Sequence, residues 1–219
     1  METDDRLCGG LTVYAPMIRN GAGPGKKIGV VGLGGLYVNP HFGIAKLIGS
    51  GHYAVLFGVA LGAEMTVFSR SDAKKADALK MGATRFIATE NKGWEKDLER
   101  DLDLIICTAS SSSLPIDELL STLDVECKLI FMGLPEEGIK SIKTQSMCGN
   151  AAFLGSSHLG NRAEMQSMLK LAAEKDIKPW IQVMQMKDAA KAIKAVEDGS
   201  VRYRSILVQV STSFQFRCA

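Results

Sequence analysis

Residues 30–64 read VVGLGGLYVNPHFGIAKLIGSGHYAVLFGVALGAE. The β-rich run KIGVV at 27–31 ends in Gly32, Gly34 and Gly35, and a good helix resumes only at 52–61. A strand that runs into G-x-G opens a dinucleotide-binding unit when a third glycine follows and starts a helix. The first glycine allows the tight turn, the second lets backbone approach a pyrophosphate, and the third lets the helix pack closely on the strand. The phosphates then meet the positive end of the helix dipole. Here Tyr37 stands where the third glycine is required, and the next suitable one is Gly51. Taken alone, a strand ending in glycines is also an ordinary turn.

The rest of the chain decides between those readings. Apolar β-rich runs at Lys27–Val31, Glu64–Phe68, Arg85–Ala88, Asp103–Thr108, Lys128–Met132 and Ala151–Leu154 alternate with helical stretches. Those helices are expected at His52–Leu61 (closed by Gly62), Asp72–Lys80 (with Ala73, Ala76 and Leu79 inward), Trp94–Glu99, Ile116–Leu123 and Ala163–Glu174. Such alternation predicts an α/β fold, a doubly wound parallel sheet of the Rossmann type with helices on both faces. Short, continuously apolar strands suit burial on both faces. The tetraserine Ser110–Ser113 follows the fourth strand, where α/β sheets place ligand contacts. After Pro179 the rhythm changes to strand (Trp180–Met184), helix (Ala189–Glu197) and strand (Ser205–Val210), as in a segment returning to another lobe.

Composition adds exclusions. The chain has 219 residues, 46% of them hydrophobic, and a net charge of +2. That suffices for one sizeable core and gives no electrostatic reason to expect nucleic acid or an anionic membrane as partner. No apolar run reaches the roughly 20 residues of a membrane span, and METDDRLCGG does not read as a leader. The five cysteines (Cys8, Cys107, Cys127, Cys148, Cys218) form no CxxC pair, so reduced thiols in a cytoplasmic protein are expected. Three of them lie in or beside apolar runs and read as buried, inert thiols.

An NAD site places Asp or Glu at the end of the second strand to hold the ribose 2′-hydroxyl. The strand here ends in Phe68-Ser69-Arg70-Ser71, followed by Lys74 and Lys75. A hydroxyl, a guanidinium and an ammonium suit the extra 2′-phosphate of NADP through charge-assisted hydrogen bonds. A solvated basic helix start is the alternative.

The stretches LCGGLTVYAPMIRNGAGPGKKIGVVGLGGL, GHYAVLFGVALGAEMTVFSR, DALKMGA, DIKPW and VRYR together resemble the zinc-dependent medium-chain alcohol dehydrogenases. They are closest to the cinnamyl alcohol dehydrogenase-like, NADP(H)-preferring branch, and the likeness runs from about Leu7 to Val208. The resemblance implies hydride transfer between NADP and a primary alcohol or aldehyde, with zinc polarising the substrate oxygen. It also implies a possible homodimer. By position it assigns Gly32, Gly34, Gly35, Leu36 and Gly51 to the glycine-rich turn and Ser69, Arg70 and Lys74 to the 2′-phosphate clamp. Arg204 becomes a further cofactor contact, Thr108 and Ser157 fall near the nicotinamide end, and Cys8 matches a catalytic-zinc ligand. Residues 1–25 then correspond to the end of a GroES-like catalytic domain and its entry helix, 26–178 to the NADP-binding domain, and 179–219 to the return.

Two departures qualify that expectation. The other zinc ligands of the family have no counterpart, and a catalytic zinc needs about three protein ligands. His41, His52 and His158 lie in the insert, the nucleotide turn and a late loop, and do not supply them. As written, the chain is expected to hold no catalytic zinc and to oxidise no alcohol efficiently. Competing readings are a non-catalytic nucleotide-binding product and a zinc-independent quinone reductase relative.

The second departure is the insert Tyr37–Ser50. Its removal gives GLGGLGHYAVLFGVALGAE, which restores G-x-G-x-x-G into a helix. Leu36-Tyr37-Val38 can be encoded with GTATGT, a typical fungal intron start, and Ser50 with a closing AG. The fourteen codons between keep frame, as a retained intron would. The alternative is a genuine insertion in which Asn39-Pro40 starts a short helix of its own.

Overall fold

The structure is a computed structural model that describes residues 6–33, 50–133, 138–139, 142–197 and 200–209. Helix α1 (Arg6–Arg19) leads into strand β1 (Lys27–Val31). The chain continues through α2 (Gly51–Leu61), β2 (Glu64–Ser69), α3 (Lys75–Lys80), β3 (Arg85–Ala88) and β4 (Leu102–Cys107). It then forms α4 (Ile116–Ser121), β5 (Leu123–Phe131), α5 (Gln145–Cys148), β6 (Phe153–Ser156) and α6 (Arg162–Glu174). Strand β7 (Ile181–Gln185), helix α7 (Ala189–Glu197) and strand β8 (Arg204–Val208) complete the described chain.

Strands β1 to β6 form one parallel sheet in the order β3-β2-β1-β4-β5-β6. This is the strand order of a doubly wound dinucleotide-binding fold, whose topology reverses between β1 and β4. Because side chains alternate across a strand, Leu104 and Ile106 enter one core while Ile105 and Cys107 enter the other. The first core is closed by Tyr14 of α1, Tyr53 and Phe57 of α2, and Met168 of α6. The second is closed by Leu119 and Leu120 of α4. Burial on both faces explains why β1, β2 and β4 read as unbroken apolar runs.

Ion pairs fix the periphery. Arg19 at the end of α1 donates to both carboxylate oxygens of Glu164 at 2.6 and 2.7 Å. The same Glu164 completes a capping box with Asn161 at the start of α6. Across the other end of the sheet, Asp101 accepts from Lys27 and Arg85, while Asp103 accepts from Lys26 and from the Lys27 amide.

Several elements depart from the sequence expectation. The helix over Trp94–Glu99 is only a 3-10 turn at Lys96–Leu98, and β5 begins five residues before the expected Lys128. The helix over Asp72–Lys80 begins as a 3-10 turn (Asp72–Lys74) and becomes α-helical only at Lys75. The tighter turn rotates the apolar stripe outward. Ala78 is therefore buried, whereas Ala73, Ala76 and Leu79 are exposed. Sequence reading did not anticipate α5. Among the described residues, no helix is long and apolar enough to cross a membrane.

The segment from Gly34 to Gly49 lies outside the described residues, including Gly34, Gly35, Leu36 and the Asn39-Pro40 pair. Its two flanks nevertheless meet. A Cβ added to Gly51 would lie 2.9 Å from the Leu33 Cα, so the chain leaves and re-enters at one place. Three residues, Gly34 to Leu36, suffice to join such neighbours. Deleting residues 37–50 shortens the connection from 17 residues to three. The loop-closure saving is about 1.5 kcal/mol, or a rise of roughly 3–6 °C in Tm. Differential scanning calorimetry of the deletion beside the full chain checks this; a lower Tm contradicts it.

Candidate functional site

The carboxyl ends of β1 and β4 diverge because the helix after β1 covers one sheet face and the helix after β4 the other. A crevice opens at such a switch point. It holds a cavity of about 440 Å³. Gly32 and Leu33 line it from β1, Ser69, Arg70 and Lys74 from β2 and the turn beyond, and Thr108 to Ser111 from β4.

Close backbone approach shapes the turn. Gly32 has φ +88, and a Cβ there would sit 3.0 Å from the Cβ of Ala109. Its amide donates to the Phe68 carbonyl at 3.0 Å. Gly51, the first residue of α2, packs tighter still: an added Cβ would lie 1.9 Å from the Gly32 carbonyl oxygen. No side chain fits there, and the helix seats directly on the strand end. Gly51 thus makes the close helix–strand contact that the third glycine of a G-x-G-x-x-G turn makes, although fourteen residues separate it from Leu36.

Thr108 fastens the other side. Its hydroxyl donates to the Gly32 carbonyl at 2.6 Å and its amide to the Val31 carbonyl at 2.9 Å. The side chain, 1% exposed, splints β1 to β4.

The electrostatics of the crevice have one sign. Arg70 is exposed and Lys74 half-buried, and neither forms an ion pair among the described residues. No Asp or Glu is among the described lining residues. Burial pushes the Lys74 ammonium pKa below the usual lysine value, and the neighbouring Arg202 charge pushes it the same way against Asp77. Two cations beside the hydroxyl of Ser69 form an anion-binding arrangement. The buried hydroxyl of Ser110 has no hydrogen-bond partner in the structure and lines the same cavity. A shaped cradle, two cations and an orphan hydroxyl fit a phosphorylated dinucleotide.

The crevice thus brings together Gly32, Ser69, Arg70, Lys74 and Thr108, with Gly51 behind the turn. Ser157 follows β6, its amide donating to Phe131, and does not line the cavity. Arg204 lies on β8 opposite Ile181 and also falls outside its lining. Sequence reading missed Thr89, Leu114, Pro115 and Leu119, which complete the wall. Only the apolar period of α4 could have pointed to Leu119.

Cys8 lies on α1 with its side chain exposed. Among the described residues, no group of three or more His, Cys, Asp or Glu is arranged to hold a metal ion. His52 is buried at the start of α2 and His158 is exposed in a late loop. The described residues therefore do not fit a catalytic zinc, and no chemical step is derived through one. Burial pushes the Cys107 thiol up to about 12, as expected for an inert core cysteine. Cys127 is half-buried, and Cys148 is exposed at the end of the short helix α5.

Fold and crevice define a doubly wound dinucleotide-binding protein. Residues 49–174 match the family described as zinc-binding dehydrogenase, and the chain belongs to that family. It is 38% identical over 213 residues to NADP-dependent alcohol dehydrogenase 6 of Saccharomyces cerevisiae, covering 95% of this chain and 55% of that protein. Among solved structures, a cinnamyl alcohol dehydrogenase of Sorghum bicolor superposes with a TM-score of 0.81 at 32% identity, over 92% of this chain and 53% of the other. CAD from Helicobacter pylori complexed with NADP(H) superposes with a TM-score of 0.74 at 28% identity, over 92% and 53%. The chain spans about half the length of the curated relatives it matches.

The turn makes a sharp demand on residue 51. Gly51→Ala is expected to cost about 3 kcal/mol through overpacking against backbone, lowering Tm by roughly 6–12 °C. Gly149→Ala, where an added Cβ meets nothing within 4 Å, is the control and should shift stability by less than about 0.5 kcal/mol. Thermal unfolding of the two variants side by side checks the difference.

Proposed function

We propose that this chain is the NADP(H)-binding half of an alcohol dehydrogenase or aldehyde reductase acting on a small primary alcohol or aldehyde. The observation that carries the reading is the crevice beyond β1 and β4. Its turn is closed by Gly51 on Gly32, and its far wall presents Ser69, Arg70 and Lys74 with no Asp or Glu among the described lining residues.

Bound NADP supplies the hydride acceptor or donor. In this reading the chain's own residues bind and orient it. Arg70 and Lys74 neutralise the 2′-phosphate while Ser69 donates to it, and these groups discriminate against NAD, which lacks that phosphate. Gly34, Gly35 and Leu36 are proposed to carry the pyrophosphate with the start of α2. Thr108 holds the turn through the Gly32 carbonyl, and Ser110 offers a free hydroxyl along the crevice. Thr108 and Ser157 are proposed to fall near the nicotinamide end, and Arg204, outside the lining of this cavity, as a further cofactor contact. The domain division at residues 25 and 178 belongs to the same reading, with β7, α7 and β8 returning to a catalytic lobe. Val183, Met186 and Ile193 on that return are 61%, 46% and 48% exposed, as suits a face that packs on more protein. Cys8 is proposed as the lone remnant of the zinc site, so the chain by itself transfers no hydride efficiently. A cytoplasmic location belongs to this reading too. So does a homodimer through the open edge of β6, where Phe153 is 56% exposed.

Calorimetric titration with NADPH and NADH tests the binding claim. Micromolar NADPH affinity, at least about tenfold tighter than NADH, is expected from the additional charge-assisted contacts. Heat from neither nucleotide, or equal affinity for both, overturns it.

A further inference from the structure

We infer that Tyr203, from the C-terminal segment, is a positioning residue that fixes Lys74 in its cofactor-discriminating place and joins it to the glycine-rich turn. The inference rests on the reading of the crevice as an NADP site and extends it to a residue that does not line the cavity. Its basis is a set of contacts converging on one side chain. Tyr203 is 2% exposed. On one side its ring stacks against His52, with centroids 5.8 Å apart and planes 19° apart. His52 directly follows Gly51, the residue that seats α2 on Gly32. On the other side the Lys74 ammonium lies 5.6 Å from the centroid of the same ring. One aromatic body therefore touches both the helix that closes the turn and the cation that faces the 2′-phosphate.

Two further contacts hold the ring in place. The Tyr203 hydroxyl donates to Asp77 Oδ2 at 2.5 Å, and Arg202 reaches the same oxygen at 3.2 Å. The Tyr203 amide donates to the Trp180 carbonyl at 3.0 Å, fixing the backbone at the entry to β8. Asp77 lies on α3, so its carboxylate is bound to the C-terminal segment and forms no ion pair with Lys74 among the described residues. The consequence is chemical. Were Asp77 free, it could fold back to neutralise Lys74, its neighbour three positions earlier and a natural i,i+3 partner. With Asp77 engaged by Tyr203 and Arg202, the ammonium rests on a ring face, which attracts a cation without neutralising it. It stays available to an incoming phosphate and is held within reach of it at little further entropic cost.

The test uses two probes that need only the adenosine end of the site, adenosine 2′,5′-bisphosphate and adenosine 5′-monophosphate. The readout is the ratio of their dissociation constants on the full chain. In Tyr203→Leu the preference for the bisphosphate is expected to fall about 5–20-fold, the range of a lost, partly desolvated cation–π contact. Monophosphate affinity should change less than about twofold. Tyr203→Phe keeps the ring beneath the ammonium and should retain the preference within about threefold. Tyr203→Met, which keeps an apolar side chain of similar reach and removes the ring face, should lower the preference in the same way, and it decides the matter should the leucine variant fail to fold. In the Lys74→Ala background neither change should move the ratio further. A ratio unaltered in Tyr203→Leu and Tyr203→Met, or equal weakening of both probes, overturns the inference and leaves the NADP reading standing. Failure of the unaltered chain to prefer the bisphosphate overturns the clamp itself and the inference with it.

Discussion

The contact on which the rest of this site depends is backbone against backbone, where α2 begins against the carbonyl of Gly32. There is no room for a β-carbon on Gly51. Because the helix seats there, Tyr53 and Phe57 reach the core beneath β1 and β2, and Thr108 can span from β4 to the same carbonyl. The contact also decides what an insertion can do. Added chain between Leu33 and Gly51 pays a loop-closure cost that grows only logarithmically with length. It need not move the helix, because the two flanks are held by packing and not by the connection. The insertion is therefore compatible with the fold even though it enters the most constrained turn of the molecule.

The cofactor reading draws on charge as much as shape. A doubly wound sheet has a crevice at its switch point whatever it binds, so the sheet order alone names no ligand. In the proposed function, discrimination is assigned to Arg70 and Lys74, which line a cavity without a described carboxylate. Lys74 is partly desolvated, and the Tyr203 ring beneath its ammonium offsets part of that cost before any ligand arrives.

Much of the fold was legible in the residues. Strands β1, β2 and β4 announce themselves as short apolar runs, because burial on both faces leaves few polar positions to blur the signal. Helix α7 begins and ends where its pattern indicates. The failures have physical causes. The stripe of Ala73, Ala76 and Leu79 assumed one unbroken helix, and a 3-10 turn at its start rotated the stripe into solvent. At the site, Ser69, Arg70 and Lys74 could be found because residue type and position after a strand carry their chemistry. Tyr203 could not, since its importance lies in contacts with residues 126 and 151 positions away. The glycine turn was legible in composition but not in continuity. Excision of Tyr37–Ser50 from the sequence already marks Gly51 as the third glycine, and the structure adds its contact with the Gly32 carbonyl.

In the proposed function the interrupted turn and its basic wall form one site for a 2′-phosphorylated dinucleotide. The most direct measurement is the two-dimensional amide spectrum of the isotopically labelled chain as NADPH is added. The account predicts shifts that saturate together at Gly32, Gly51, Ser69, Arg70 and Lys74. Shifts confined to other residues, or absent from Gly32 and Gly51 while the basic residues respond, would contradict it.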